Sequence, residues 1–176
     1  MKYFIAYAMN ALIIVANKNF RDEELFITKS ELENYKIKTI VASSEMTECT
    51  GMLKKTIMPD MLVSDARVEN YDSIIFIGGM GISQYFNDSA ILSLAKQFYA
   101  QGKVVAAICI APVILANSGI LKGKKATVSR SMVGDIVKEG AEYVGQSCVV
   151  DGKIITANGP SASKEFAKKI AILLLK

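Results

Sequence analysis

The chain contains no histidine. That absence excludes every mechanism that needs an imidazole from the same polypeptide, including Ser-His-Asp and Cys-His catalysis and His-ligated metal sites. Cysteine is sparse: Cys49, Cys109 and Cys148 stand at wide, irregular spacing. An odd count without a CxxC pair argues against a disulfide framework and a zinc site, and suits a reducing cytoplasm. Charge of one sign is missing as well. Lys and Arg number 21 against 17 Asp and Glu, and the resulting +4 is spread along 176 residues, with no basic stripe for nucleic acid. Long hydrophobic runs are also lacking. Met1 to Ala16 is mostly apolar, but it is too short to cross a bilayer, and Asn10 interrupts it, so no membrane partner is expected. There is no internal repeat, low-complexity stretch or long linker, and no GxGxxG or Walker fingerprint.

What is present is a chain half of whose residues are apolar, enough to bury a core in one ordinary domain. Short apolar runs alternate with helical patterns from end to end. Strands are predicted at Ala11–Ala16, Ile37–Ala42, Ser73–Ile77, Val104–Ile108, Lys125–Val128, Ser147–Val150 and Lys153–Thr156. Several are apolar throughout, as central strands covered on both faces must be. A first helix is predicted from Asp22 to Tyr35, with Leu25, Ile27, Leu32 and Tyr35 as its apolar stripe. Asp88 is placed to cap a second, in which Ile91, Leu94, Ala95 and Phe98 share a face and Gly102 follows the end. A third begins after Gly159-Pro160 and repeats Phe166, Ile170 and Leu174. Asp151-Gly152 signals a late hairpin. These elements predict a three-layer α/β sandwich with a mostly parallel central sheet and a late β-hairpin. Residues 9–176 are assigned to a single domain, and residues 1–8 to an extension without a readable role.

In such sheets ligands gather at the carboxyl ends of the parallel strands, and three loops there carry unusual chemistry. In the first, Val104-Val-Ala-Ala-Ile runs straight into Cys109, and a helical pattern follows at once. A thiol on a strand-to-helix elbow is exposed at the sheet edge, and the helix N-terminus is expected to lower its pKa. The plainer alternative is a small buried hydrophobe, as most free cysteines are. In the second, Gly78-Gly79 after Ile74-Ile-Phe-Ile offers backbone N–H groups to a developing oxyanion, or merely makes a tight turn. The third is Phe20-Arg-Asp22-Glu23-Glu24-Leu25. Acidic residues opening a helix are ordinarily surface groups facing its dipole, which accounts for Asp22 and Glu23, while one carboxylate remains as a partner for the thiol. Cys49 lies in a polar stretch and is expected to be exposed, whereas Cys148 lies in a strand and is expected to pack.

Taken together the loops resemble the ThiJ/PfpI superfamily. The matching segments are Phe20-Arg-Asp-Glu-Glu-Leu25, Tyr71-Asp-Ser-Ile-Ile-Phe-Ile-Gly-Gly79, and Ala106-Ala-Ile-Cys-Ile-Ala-Pro112 continuing through Gly119-Ile-Leu-Lys-Gly-Lys-Lys-Ala-Thr127. Gly140-Ala-Glu-Tyr-Val144, Val149 to Pro160 and Glu165-Phe-Ala167 follow in collinear order. The resemblance implies a flavodoxin-like fold, usually a homodimer, that needs no metal or organic cofactor. It makes Cys109 the nucleophile and Glu24 a protonated partner hydrogen-bonded to the sulfur, with the N–H groups of Gly79 and Ile110 as the oxyanion site beside Gly78. Ser129, Asn158, Gly159 and Pro160 are placed around the pocket. The departures bear on function. Protease-like members carry a histidine directly after the cysteine, where this chain has Ile110. Deglycase-like members carry one where this chain has Ser129. Peptidase activity is therefore not expected. Arg130 either meets an anionic substrate or is a surface charge, the second being favoured. Two readings stay open: an enzyme acting on small 2-oxoaldehydes, and a redox sensor or stress protein in which Cys109 is oxidised.

Overall fold

The computed structural model describes residues 9–176; the extension assigned to residues 1–8 lies outside them. In chain order the elements are β1 (Asn10–Ile14), β2 (Lys18–Phe20), α1 (Asp22–Asn34), β3 (Lys38–Ser43), β4 (Cys49–Gly51), β5 (Thr56–Ile57), β6 (Met61–Leu62) and β7 (Ser73–Phe76). There follow α2 (Ser89–Ala100), β8 (Val104–Ile108), α3 (Pro112–Asn117), β9 (Lys125–Ala126), α4 (Val133–Lys138), β10 (Glu142–Tyr143), β11 (Cys148–Asp151), β12 (Ile154–Ala157) and α5 (Ser163–Leu174). Seven strands form the central sheet in the order β11-β12-β8-β7-β1-β3-β6. All neighbours are parallel except β11, which returns along β12 through the Asp151-Gly152 hairpin.

The side-chain period of two divides each central strand between two cores. Ala11, Ile13, Ile75, Ala106 and Ile108 face Leu25 and Leu32 of α1 and Phe166 and Ile170 of α5. Leu12, Ile14, Ile74, Phe76, Val105 and Ala107 face Ile91 and Phe98 of α2, Ile114 and Leu115 of α3, and Ile136 of α4. Both faces are buried, which is why these strands are apolar at every position. The result is the three-layer sandwich that the strand–helix alternation implies, of the flavodoxin-like kind that the resemblance implies.

The cap assigned to Asp88 is present, its Oδ1 accepting from the N–H groups of Ala90 (2.9 Å) and Ile91 (3.2 Å). Two expectations need correction. Ile27 and Tyr35 of the first helix stand out in solvent rather than in its core stripe, which is built on Leu25, Thr28 and Leu32. The strand expected over Lys125–Val128 ends at Ala126 and pairs with β10 outside the central sheet. Thr127 leaves the ladder because its N–H donates to Thr156 Oγ1 (2.9 Å) and its hydroxyl to Gln146 O (2.7 Å).

Candidate active site

The carboxyl ends of β1, β7, β8 and β12 converge on Cys109. β8 carries the chain outward to Ile108, and Cys109 then adopts φ +66°, a left-handed conformation that costs a non-glycine residue on the order of 1–3 kcal/mol. Flanking backbone holds it there. The Cys109 N–H donates to Ala157 O at the end of β12 (2.9 Å), and Cys109 O accepts from the Ser129 N–H (2.7 Å). The side chain is half-buried and touches both cores.

Gly78 and Gly79 give the thiol its surroundings. A Cβ on Gly78 would collide with Cys109 Cβ and come within 2.6 Å of Glu24 Oε2 and 2.8 Å of Ile108 O, so only glycine permits this approach. Gly79, at φ +100°, and Ile110 each bring a backbone N–H near enough to the sulfur to favour its thiolate.

Glu24 occupies the first turn of α1 and is fully buried. Its Oε2 accepts the Gly78 N–H at 2.9 Å, while Oε1 is buried without a hydrogen-bond partner. The Cys109 thiol lies beside this carboxyl without completing a well-formed hydrogen bond to Oε1. Burial pushes Glu24 up to about 7, against the pull of the Cys109 thiol, the Gly78 N–H and the Arg21 charge. The thiol moves opposite to the expectation from the elbow. Burial, and then the Glu24 charge, raise it to about 11, and the Gly79 and Ile110 N–H groups recover only part of that rise. The helix that was to lower it is short and begins three residues on, at Pro112.

Asp22 is also corrected. It is not a surface group but is buried, its Oδ2 accepting from the Leu53 N–H (2.7 Å) and its Oδ1 from the Lys55 N–H (2.9 Å). It thus pins the turn between β4 and β5 against the start of α1. Glu23 does lie at the surface, paired with Arg21. Sequence reasoning passed over Arg21. Its N–H donates to Gly78 O (2.9 Å), and its guanidinium feels the charges of Glu24 and Cys109. Its place two residues before an acidic pair was the available signal.

Of the other predicted site residues, Ser129 is half-buried against the elbow through its backbone, and Arg130 is exposed and makes no ion pair among the described residues. Asn158 is exposed, Gly159 buried and Pro160 half-buried, all directly beyond β12. Cys148 packs in β11 as expected, its thiol raised to about 11 by burial. Cys49 is not exposed but fully buried in β4, because that strand's pairing with β2 and β5 encloses it. A cavity of about 440 Å³ lies along α2, lined by residues from Val63 to Gln97, and does not reach Cys109. Among the described residues no helix is long and apolar enough to cross a membrane, and no cluster of three or more His, Cys, Asp or Glu could hold a metal.

Comparison with known proteins agrees with this fold. The model of the DJ-1/PfpI family matches residues 9–172. An uncharacterized protein of Methanocaldococcus jannaschii is 40% identical over 162 residues, covering 90% of this chain and 79% of its own length. A deglycase of Pyrococcus horikoshii is 28% identical over 166 residues, covering 94% and 99%. The crystal structure of a ThiJ/PfpI domain protein from Brachyspira murdochii superposes with a TM-score of 0.93 at 33% identity, covering 96% and 97%. That of Drosophila melanogaster DJ-1beta gives 0.88 at 30%, covering 95% and 90%.

Proposed function

Since the chain belongs to the DJ-1/PfpI family, we propose that it is a cysteine-dependent, cofactor-independent enzyme that converts small 2-oxoaldehydes to 2-hydroxy acids, with Cys109 as nucleophile and Glu24 as proton carrier. The observation that most supports this is the pairing of a buried carboxyl, one oxygen unbonded, with a half-buried thiol on a strained elbow. A thiol near 11 holds its proton at neutral pH, so attack needs a base in contact with it, and a carboxyl near 7 is matched to that task. The existence of deglycases among the relatives points the same way.

In this reading the sulfur attacks the aldehyde carbon as its proton passes to Glu24. The S–C bond forms, and the C=O π pair moves to oxygen, which the Gly79 and Ile110 N–H groups stabilise until Glu24 returns the proton. The hemithioacetal then loses the proton on its former aldehyde carbon to Glu24 while its hydroxyl proton passes to the neighbouring ketone oxygen, and the adjacent carbon takes the proton back from Glu24 as the former aldehyde carbon becomes the thioester carbonyl. This gives a 2-hydroxy thioester with no net oxidation. Water cleaves that ester, releasing the acid and restoring the thiol. Residues 9–176 act as one domain, in a cytoplasmic homodimer, with residues 1–8 as an extension.

A second reading is favoured by the two N–H groups facing the sulfur and by the lack of any imidazole. Here a peroxide transfers one oxygen to the Cys109 thiolate with loss of water, and a second transfer yields a sulfinate held by the same donors and by protonated Glu24. Methylglyoxal turnover by wild type and Cys109→Ser, with intact masses along a peroxide titration, separates the two. Cys109-dependent lactate establishes the enzyme. Absence of turnover, together with a clean two-oxygen adduct at Cys109, establishes the sensor.

A further inference from the structure

Arg21 is tied to the turn beside the elbow through its backbone, with its side chain turned to Glu23. Its N–H bond to Gly78 O ties it to the turn that presents the Gly79 N–H to the sulfur. Its guanidinium grips the Glu23 carboxylate as a fork, Nε to Oε2 at 2.9 Å and Nη2 to Oε1 at 3.1 Å. Nη1 takes no part in this grip. The two side chains keep 31% and 34% of their surface exposed, and pairs this open to solvent are weak and exchangeable. At the rim of the site, within electrostatic reach of both Cys109 and Glu24, there is thus a fork already matched to a carboxylate, with donors to spare.

Resting on the reading of Cys109 as a carbonyl-adding thiol, we propose that Arg21 determines specificity by binding the carboxylate of an anionic substrate, a short 2-oxoaldehyde that also carries an acid group, while Cys109 adds to its aldehyde carbonyl. A guanidinium–carboxylate fork fixes orientation as well as position. It therefore sets the aldehyde carbon against the sulfur, where a neutral 2-oxoaldehyde has only its carbonyl to hold it. In the addition the S–H bond breaks, the S–C bond forms, the π pair goes to oxygen, and the proton reaches that oxygen through Glu24. Glu23 occupies the fork until the substrate displaces it. Arg130, exposed beyond Ser129 on the other side of the elbow, carries the same charge without the fork on Glu23.

The test uses two alkylating agents that differ in charge and share a mechanism, iodoacetate and iodoacetamide, with the Cys109-containing peptide followed by mass. Any change in thiolate fraction cancels in the ratio of the two rates. Arg21→Gln is expected to lower the iodoacetate-to-iodoacetamide ratio about five- to tenfold. Arg21→Lys should lower it less, and Glu23→Gln should raise it. Glyoxylate should protect Cys109 from iodoacetamide better than glyoxal does in wild type, and lose that advantage in Arg21→Gln. An unchanged ratio in Arg21→Gln, or an equal fall in Arg130→Gln, overturns the proposal. Alkylation needs only the thiol, so this result stands apart from whether methylglyoxal is turned over.

Discussion

Asp22 and Glu24 stand two residues apart in the first turn of α1, and both are buried acids, yet their surroundings ask different things of them. Asp22 has each oxygen bonded to a backbone N–H, from Leu53 and Lys55, and a Cβ on Gly51 would run into its carboxylate. Every acceptor is used in holding a turn. Glu24 has one oxygen on the Gly78 N–H and the other on nothing, with a thiol beside it. A buried polar atom left unpaired is costly, and native structures keep few of them. What separates the acid that holds a turn from the one beside the thiol is therefore the free oxygen rather than burial.

The strongest challenge to that contrast is Glu24→Gln, which keeps the shape and removes the titration. If Glu24 carries the proton, turnover falls by on the order of 10²–10⁴-fold in methylglyoxal assays, while Asp22→Asn, measured alongside, keeps turnover wherever the protein stays folded. Asp22→Ala is next. It removes the carboxylate that accepts from the Leu53 and Lys55 N–H groups and is expected to cost about 3 kcal/mol in urea unfolding, yet to leave the pH midpoint of Cys109 alkylation where it is in wild type. A shifted midpoint would blur the division between the two acids.

The smallest effect is a slope. The Glu24 carboxyl is raised from 4.5 to about 7 in the folded chain. Between those values the unfolded chain has released the proton and the folded one has not, so the folded state binds more protons and stability falls as pH rises. The stabilising contribution is complete below about 4.5 and gone above about 7, a change of up to ~3 kcal/mol. Denaturant midpoints measured across that window for wild type against Glu24→Gln isolate it. A parallel pair of curves would mean that Glu24 does not titrate there.

The central sheet could be read from the sequence because two-sided burial makes Val104–Ile108 and Ala11–Ile14 apolar without interruption. Its short outer ladders could not be read. β4, β5 and β6 hold two or three residues each, too few to establish any period. Cys49 was misplaced for that reason: Ser44, Glu45, Thr47 and Glu48 just before it are exposed and polar, and the strands that bury it come from elsewhere in the chain. The elbow was legible as a strand running into Cys109, with Glu24 supplied by resemblance. Neither composition nor spacing tells how strongly burial opposes the thiolate, since that depends on Glu24 and Gly79 arriving from separate segments. Arg21 is the same kind of case, its role resting on the approach of Gly78 across the sheet edge.

The left-handed backbone of Cys109 also reverses an ordinary expectation about replacement. At most positions alanine is kinder to a fold than glycine. At φ +66°, with N–H and C=O both clamped, a Cβ is the strained part, so Cys109→Gly is expected to be more stable than Cys109→Ala by about 1 kcal/mol in thermal unfolding. The position that serves folding best with no side chain at all is the one that carries the sulfur. Stability alone would favour glycine over cysteine at this position.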